Sequence, residues 1–309
     1  MTPEHIADLR TQRYNSTVVH LKRIHSDLMV LRIKPDFPRP NYIAGQYCAL
    51  GLGYWEQRVE GCQHEELKPE DLVKVVRRSY SISSSIYGEL GQLRDMTQDD
   101  WIEFYVVLVR NNPDGRVPAL TPRLFALREG DRISMGEKIV GHFTSEPVKP
   151  DDNVVLLSTG TGEAPHNAIV WDLLRKGHKG QILSACCVRF KKDLGYYETQ
   201  QTLMAQFRNY KYLGLTTREA GLTKKVYIQD LLTSGEMEDH LHASLDPAKT
   251  HVYLCGNPKM IGVPTKDKAT GQRLYPEPIG VIEILEKRGF QADNATLKIK
   301  GNIHFEEYW

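Results

Sequence analysis

The sequence predicts two domains, an antiparallel β-barrel followed by an α/β domain with a doubly wound parallel sheet. The chain has 309 residues, about twice the length of an average domain. Its first half is typical of short strands separated by Gly, Pro, Asn and Asp, whereas its second half alternates strands with helices. The pattern changes within residues 145–152, where two prolines and three acidic residues fit neither period. We therefore expect domains at 1–147 and 148–309.

The predicted strands of the first half are rich in β-branched and aliphatic residues. They cover residues 17–24, 28–33, 46–52, 78–83, 101–109 and 131–135. Strands at this spacing, with turn residues between them, favour a closed antiparallel barrel, because closure removes the exposed strand edges.

The second half alternates short apolar strands with helices. The strands are predicted at 153–158, 182–188, 212–216 and 251–255, and the helices at 164–175, 199–207, 226–232 and 281–287. This order indicates right-handed crossovers and a parallel sheet. Ligands of such sheets bind at the carboxyl ends of the strands. The loops 158–166, 216–219 and 255–260 are therefore the candidate binding segments.

Composition excludes several classes of protein. With 40% apolar and 26% charged residues, the chain is neither collagen-like nor disordered. A net charge of +1 gives no support for nucleic-acid binding, and no apolar run approaches the roughly 18 residues of a membrane span. The five cysteines form no CxxC pair, so we expect no zinc or iron–sulfur site. The charged N-terminus is unlike a secretory signal, and we expect a cytoplasmic protein.

The loop Ser158–Pro165 follows a predicted buried strand and opens a helix, where backbone N–H groups and the helix dipole favour a phosphate. Gly160 and Gly162 match the first two glycines of GxGxxG, but Pro165 occupies the third position. The pattern fits a phosphate-binding loop or a tight strand-to-helix turn.

Cationic residues follow the next two strands. Arg189 ends one strand, Arg218 follows the other, and Lys224 and Lys225 come shortly after. Cations on neighbouring strand ends suit a dianionic phosphate, and arginine binds it in a bidentate manner. The alternative is an ordinary solvated surface charge.

Two further segments are candidates for ligand contact. Cys255, beside Gly256 at a strand end, suits close approach to a ligand, or else it is a buried thiol before a turn. In the first half, Arg77 and Arg78 begin a strand rich in hydroxyl groups. The arginines suit a pyrophosphate and Tyr80 suits an aromatic ring, with a polar barrel strand as the alternative.

Together these segments resemble the ferredoxin–NADP reductase family over nearly the whole chain. The stretch Arg-Ser-Tyr-Ser at 78–81 resembles the family's Arg-x-Tyr-Ser flavin motif. The resemblance implies that Arg78 binds the FAD pyrophosphate, Tyr80 packs on the isoalloxazine and Ser81 lies near flavin N5. The stretches at 104–107 and 120–124 resemble the next strand and the phosphate turn of the family, which implies FAD contacts from Tyr105 and Thr121.

The second half resembles the NADP-binding half of the same family. The stretch Gly-Thr-Gly-Glu-Ala-Pro at 160–165 is similar to the nicotinamide-side loop, which implies NADP contacts from Thr161 and Gly162. By the same resemblance, Arg189, Arg218 and Lys225 bind NADP, with Arg218 and Lys225 placed to read its 2′-phosphate.

The resemblance extends to two segments near the reacting rings. The Cys-Gly-Asn-Pro stretch resembles the family's Cys-Gly-x-Pro loop, which implies that Cys255 and Gly256 lie beside the nicotinamide. The final residues resemble the bacterial branch that ends in Tyr-Trp. This implies that Tyr308 covers the isoalloxazine and Trp309 the adenine of FAD.

The resemblance therefore implies an FAD-dependent oxidoreductase that exchanges electrons between NADP(H) and ferredoxin or flavodoxin, with Ser81, Cys255 and Tyr308 as catalytic residues. We expect a monomer or a weak dimer. A stand-alone flavin reductase, serving an oxygenase or a ferric or free-flavin acceptor, is the alternative enzyme, and a non-catalytic FAD-binding sensor is the alternative of another class.

The chain departs from the family pattern at four places. Glu163 stands where the family usually has an aliphatic residue, and His166 stands where it usually has an aromatic one. Two segments, 54–76 and 261–278, are longer than the usual connections, so we expect them to be functional covers or surface loops.

Overall fold

The computed structural model describes residues 1–88, 91–112, 114–267, 270, 272–294 and 299–308. The chain forms two compact units. Unit 1 comprises Met1–Ser84 and Arg94–His142, and unit 2 comprises Ser85–Leu93 and Phe143–Trp309. The segment Ser85–Leu93 is thus part of unit 2, where the Tyr87 hydroxyl donates to Gln206 Oε1 at 2.9 Å. The domain boundary at residue 147 stays a prediction.

Unit 1 is a closed barrel of six antiparallel strands, as the sequence predicts. The order around the barrel is β1-β2-β5-β4-β3-β6. The strands are β1 (Ser16–His25), β2 (Leu28–Pro35), β3 (Tyr47–Gly53), β4 (Val75–Ser83), β5 (Ile102–Val107) and β6 (Arg132–Met135). Helix α1 (Pro3–Arg13), which the sequence analysis did not predict, precedes the barrel, and the short helix α2 (Thr121–Leu124) follows β5.

Aliphatic side chains from every strand fill the barrel. Val18, Leu31, Leu50 and Phe104 are fully buried within one cluster, and Leu124 of α2 packs into the same cluster. Burial of this kind stabilises the barrel by about 25 cal/mol per Å² of apolar surface. The barrel therefore gives β4, which carries the predicted flavin motif, a rigid support.

A buried arginine fixes the long segment between β3 and β4. Arg123 of α2 is 2% exposed, and its Nη2 donates to Glu65 Oε2 at 2.5 Å. The same guanidinium donates to the carbonyls of Tyr54 (3.0 Å) and Ala119 (2.6 Å). Because Tyr54 and Glu65 both belong to the long segment, these bonds make its first part an ordered cover over α2.

Replacement of Glu65 by alanine should destabilise unit 1 by roughly 3–5 kcal/mol, because it leaves the Arg123 guanidinium buried without a counter-charge. Chemical denaturation monitored by circular dichroism measures the loss. Glu66→Ala is the matched control, since Glu66 is exposed. Its effect should stay within about 0.5 kcal/mol. Equal losses for the two variants would contradict a structural role for the pair.

Unit 2 contains a five-stranded parallel sheet in the order β13-β10-β7-β8-β9. The strands are β7 (Asn153–Thr159), β8 (Ile182–Val188), β9 (Tyr210–Thr216), β10 (Thr250–Gly256) and β13 (Ile303–Glu307), and β11 (Thr265–Lys266) pairs separately with β12 (Arg273–Leu274). The helices are α3 (Glu163–Arg175), α4 (Tyr197–Gln206), α5 (Ile228–Ser234), α6 (Glu236–Leu241), α7 (Pro258–Ile261) and α8 (Val281–Glu286). In the described part of the chain, every helix is too short or too polar to cross a membrane.

Four of these strands agree with the predicted ones, whereas β13 was not predicted. β13 lies at the edge of the sheet, where it pairs with β10 and forms a single bridge from Ile303 to Ala292, so its sequence lacks the continuous apolar run of an inner strand. Histidine side chains reinforce the pairing. His304 Nδ1 lies 2.7 Å from Asp293 Oδ2, and its Nε2 lies 3.0 Å from His251 Nδ1. This edge carries the end of the chain to the carboxyl side of the sheet.

Helix α3 buries polar side chains as well as apolar ones. His166 is fully buried and its ring stacks on Phe143, with 5.8 Å between centroids and 20° between planes. Neither ring nitrogen has a hydrogen-bond partner among the described residues. Burial lowers the pKa of His166 to about 3, so the imidazole is neutral and packs as an aromatic ring.

Replacement of His166 by phenylalanine should reduce the decrease in the free energy of unfolding that the wild type shows below about pH 6.5. The folded-state pKa lies below the unfolded value, so the unfolded chain binds more protons and the free energy of unfolding falls as the pH drops from about 6.5 towards 3. The penalty at about pH 5 is ~2 kcal/mol. Denaturant unfolding of wild type and variant, near pH 7.5 and near pH 5, measures it.

The exposed histidine of α6 provides the control for this experiment. His240→Phe should keep the acid sensitivity of the wild type, because His240 is exposed. If His166→Phe lost as much stability on acidification as the wild type does, that result would contradict the conclusion that His166 is buried in its neutral form.

Candidate functional site

Strand β4 carries the predicted flavin residues of unit 1. Arg78 and Tyr80 lie on one face of the strand, since side chains alternate along it. Arg78 is exposed and its Nη1 donates to the carbonyl of Arg77 at 2.7 Å. It pairs with no carboxylate in the described ranges. Tyr80 is half-buried, and burial raises its phenol pKa. An exposed cation beside a half-buried ring fits a pyrophosphate and an aromatic ring system.

The buried hydroxyl of Ser81 lies where β4 meets β5. The ladder between these strands pairs Ile82 with Phe104. Ser81 and Tyr105 are the next residues beyond that pair, and both are buried. The structure therefore brings these two predicted FAD contacts to one end of the ladder.

Thr121 begins α2 at the predicted phosphate turn. Its hydroxyl accepts the backbone N–H of Val109 at 3.1 Å and thereby joins the helix to the chain that leaves β5. Proline follows Thr121 at the first turn, where a missing N–H costs nothing. The turn is thus fixed on both sides, by Val109 and by the Arg123–Glu65 pair.

The loops after β7 and β10 meet in unit 2. The chain continues from β7 to β8 on one side, whereas β10 lies on the other side, so the strand order reverses at this point. Such switch points are where open α/β sheets bind ligands. A Cβ atom on Gly162 would lie 2.2 Å from the Cys255 carbonyl oxygen. A Cβ atom on Gly256, whose φ is +124°, would lie 2.3 Å from Thr159 Oγ1. Both positions require glycine because the backbone of the loop after β7 is in contact with the backbone of the loop after β10.

The turn before α3 offers room for a ligand. Gly160 has a φ of +54°, and a Cβ atom placed on it meets nothing within 4 Å in the described structure. Thr161 is half-exposed. Helix α3 is 13 residues long, and the positive end of its dipole lies at this turn. These features fit a phosphate of a nucleotide cofactor.

Two of the predicted phosphate-binding cations lie together at the carboxyl edge of the sheet. The backbone N–H of Arg218 donates to the Arg189 carbonyl at 2.8 Å, so the ends of β8 and β9 are joined. Both side chains are exposed, and Arg189 Nε lies 3.5 Å from Asp193 Oδ2. Lys225 is exposed in the loop before α5. Exposed arginines at one sheet edge suit recognition of a phosphate dianion.

Cys255 and Tyr308 lie at the ends of β10 and β13. Cys255 is fully buried, and burial, followed by the Glu306 carboxylate, raises its thiol pKa well above the usual value. The thiol is therefore protonated at neutral pH. The backbone N–H of Tyr308 donates to the Gly256 carbonyl at 2.8 Å, which aligns the end of the chain with the Cys255 loop. Trp309 lies outside the described residues.

The structure adds a buried polar cluster that the motifs did not reveal. Glu163, the first residue of α3, is fully buried. Gln200 Nε2 donates to Glu163 Oε1 at 3.2 Å and to Asn167 Oδ1 at 2.7 Å. The Tyr210 hydroxyl donates to Gln200 Oε1 at 2.5 Å, and the Tyr212 hydroxyl faces the Glu163 carboxyl. In the sequence, only the unusual acid after Gly162 pointed to this cluster.

Burial raises the pKa of Glu163 to about 7, opposed by the Tyr212 hydroxyl and the Gln200 amide. Its Oε2 atom is outside hydrogen-bonding geometry with the residues that the structure describes. The site therefore contains a carboxyl that changes charge near neutral pH, one residue from the Gly160–Gly162 turn.

Comparison with known proteins identifies relatives of the chain. A family model described as the oxidoreductase NAD-binding domain matches residues 156–265. The chain is 32% identical over 227 residues to the flavodoxin/ferredoxin–NADP reductase of Escherichia coli strain K12, an alignment that covers 71% of this chain and 76% of that protein. It is 28% identical over 233 residues to the ferredoxin–NADP reductase of Pseudomonas aeruginosa, with coverage of 72% and 77%.

A solved structure agrees with the fold of both units. The ferredoxin NADP⁺ reductase from Neisseria gonorrhoeae, crystallised with bound FAD and NADP, matches with a TM-score of 0.66 and 21% identity, over 95% of this chain and 97% of that one. The sequence identity to the Escherichia coli reductase, together with its coverage, shows the family. The barrel carries the Arg-x-Tyr-Ser stretch on β4, and the parallel sheet has two glycines at its switch point. With this fold and this sequence identity, the chain belongs to the flavodoxin/ferredoxin–NADP reductase family.

Proposed function

We propose that the protein is an FAD-dependent oxidoreductase that exchanges electrons between NADP(H) and a one-electron carrier, ferredoxin or flavodoxin. One observation supports this proposal above all. A chain of this family combines a barrel whose strand β4 has the flavin-motif sequence with a parallel sheet whose switch point suits a nucleotide. When bound, FAD supplies the conversion between a two-electron donor and a one-electron acceptor. The names of the relatives support the choice of carrier.

Residues of unit 1 bind FAD in this proposal. Arg78 donates to the pyrophosphate, a role supported by its exposure and by the absence of a carboxylate partner in the described part of the chain. Tyr80 packs on the isoalloxazine, and Tyr105 and Thr121 contact the rest of the cofactor. Ser81 supplies a buried hydroxyl beside the reacting ring.

Residues of unit 2 bind NADP(H). Thr161 and Gly162 lie at the phosphate turn, while Arg189, Arg218 and Lys225 form a cationic group that suits the 2′-phosphate. Gly256 permits the close approach of the two loops.

Three residues are proposed to act at the reacting rings. Ser81, Cys255 and Tyr308 orient the rings, and none of them needs to act as a nucleophile. The protonated state of the Cys255 thiol supports a positioning role for that residue. In this proposal Tyr308 and Trp309 cover the two ring systems of FAD.

Anaerobic reduction of the FAD-loaded protein tests the proposed function. Addition of NADPH should remove the visible absorbance of the flavin, and ferredoxin or flavodoxin should restore it while becoming reduced. Free FMN and a ferric chelate serve as competing acceptors. Faster turnover with these small acceptors than with either carrier would support a stand-alone flavin reductase. A flavin that NADPH leaves oxidised would overturn the oxidoreductase proposal.

Replacement of Arg218 by alanine should raise KM for NADPH far more than KM for NADH, because only NADPH carries the 2′-phosphate. A lost charged hydrogen bond costs about 1.5–3 kcal/mol, or roughly 10- to 150-fold in KM. Arg208→Ala is the matched control, since Arg208 is exposed but precedes β9 rather than following it. Equal effects of Arg218→Ala on both nucleotides would contradict the assignment.

A further inference from the structure

Glu163 directly follows the turn to which the proposed function assigns the phosphates of NADP(H), and its carboxyl is buried. Glu163 begins α3, and the 3₁₀ turn Gly160–Gly162 immediately precedes it. In the proposed function, a nucleotide phosphate binds at the end of α3 that also carries the Glu163 carboxyl.

The groups around Glu163 are uncharged at neutral pH. Cys186 on β8 and Tyr210 and Tyr212 on β9 all have pKa values raised by burial, and the Glu163 charge raises them further. His166, on the same helix, is neutral because burial lowers its pKa. Lysine and arginine are missing from the Glu163 environment in the described ranges. Glu163 is thus the group whose charge changes there.

The hydrogen bonds around Glu163 accommodate both of its protonation states. The Gln200 amide is oriented by the Tyr210 hydroxyl, which donates to Gln200 Oε1 at 2.5 Å. Its Nε2 therefore points to Glu163 Oε1, which accepts a hydrogen bond whether the carboxyl is ionised or not. The proton of the neutral form is left to Oε2, which has no partner of good geometry among the described residues. The hydrogen bond from Gln200 to Oε1 is therefore compatible with both protonation states of Glu163.

We infer that binding of the NADP(H) phosphates at the Gly160–Gly162 turn is coupled to the uptake of a proton by Glu163. A phosphate and a buried carboxylate at one helix end repel each other strongly, because the interior screens charges weakly. Protonation of Glu163 from the solvent removes that repulsion. By linkage, affinity for the nucleotide is highest with Glu163 neutral and falls as rising pH ionises it.

Isothermal titration calorimetry on the FAD-loaded protein tests this inference, which rests on the proposed function. NADP⁺ is titrated near neutral pH in buffers of low and high ionisation enthalpy, and the dependence of the observed enthalpy on the buffer gives the number of protons taken up. The wild type should take up more protons than Glu163→Gln, which cannot titrate. Protons taken up or released by the 2′-phosphate itself contribute equally to both measurements, because both proteins bind the same ligand. The difference in proton uptake between the two proteins therefore reports on Glu163.

The pH dependence of the dissociation constant provides a second measurement. The wild type should lose affinity for NADP⁺ more steeply than Glu163→Gln between about pH 6 and pH 8.5, by up to tenfold per pH unit. Glu198→Gln is the control, since Glu198 is an exposed carboxylate of α4 in the same unit, and it should follow the wild type.

Tyr212→Phe keeps the inference testable if Glu163→Gln fails to fold. The Tyr212 hydroxyl lowers the pKa of Glu163, so its removal should shift the steep part of the affinity profile to higher pH. Identical proton uptake and identical pH profiles for the wild type and the folded variants would overturn the inference. A folded wild-type protein that binds no NADP⁺ would instead overturn the proposed function, which separates the two failures.

Discussion

Contact between the backbones after β7 and β10 is the constraint on which the nucleotide-binding half of the protein depends. The Cys255 carbonyl occupies the space that a side chain at position 162 would need, and Thr159 occupies the space at position 256. Only glycine fits at either place. Because the loops touch, the start of α3, the end of β10 and the Tyr308 backbone form one rigid edge of the sheet. The placement of Cys255 beside the start of α3 follows from this contact.

At the same edge of the sheet, the carboxyl of Glu163 is buried in the interior of unit 2. A helix dipole partly compensates an acidic residue in the first turn of α3, but Glu163 is buried among hydroxyl and amide groups rather than beside a cation. An aliphatic residue, usual in the family at this position, would avoid the desolvation penalty. The carboxyl instead gives the turn a charge that depends on pH. Burial favours the neutral form of His166 as well, although it moves the pKa of the imidazole downward rather than upward.

In unit 1, a long segment is held against helix α2. Four side chains of the segment after β3, those of Tyr54, Trp55, Val59 and Cys62, pack against the core of unit 1. Arg123 donates hydrogen bonds to three residues, Tyr54, Glu65 and Ala119, of which the first two belong to this segment. The Glu65 carboxylate offsets the desolvation of the guanidinium. The first part of the 54–76 excursion is thus a structural cover for α2.

Elements with a strong periodic pattern could be predicted from the amino-acid sequence. Six barrel strands and four of the five sheet strands follow from apolar patterning, and the Arg-x-Tyr-Ser and Cys-Gly-Asn-Pro stretches indicated the family. Strand β13 was not predicted, because this edge strand ends in two half-exposed glutamates and has no continuous apolar run. The environment of Glu163 could not be predicted in this way, because Gln200, Tyr210 and Tyr212 come from α4 and β9, far along the chain. Burial depends on which distant elements pack together, so periodicity within a short window cannot reveal it.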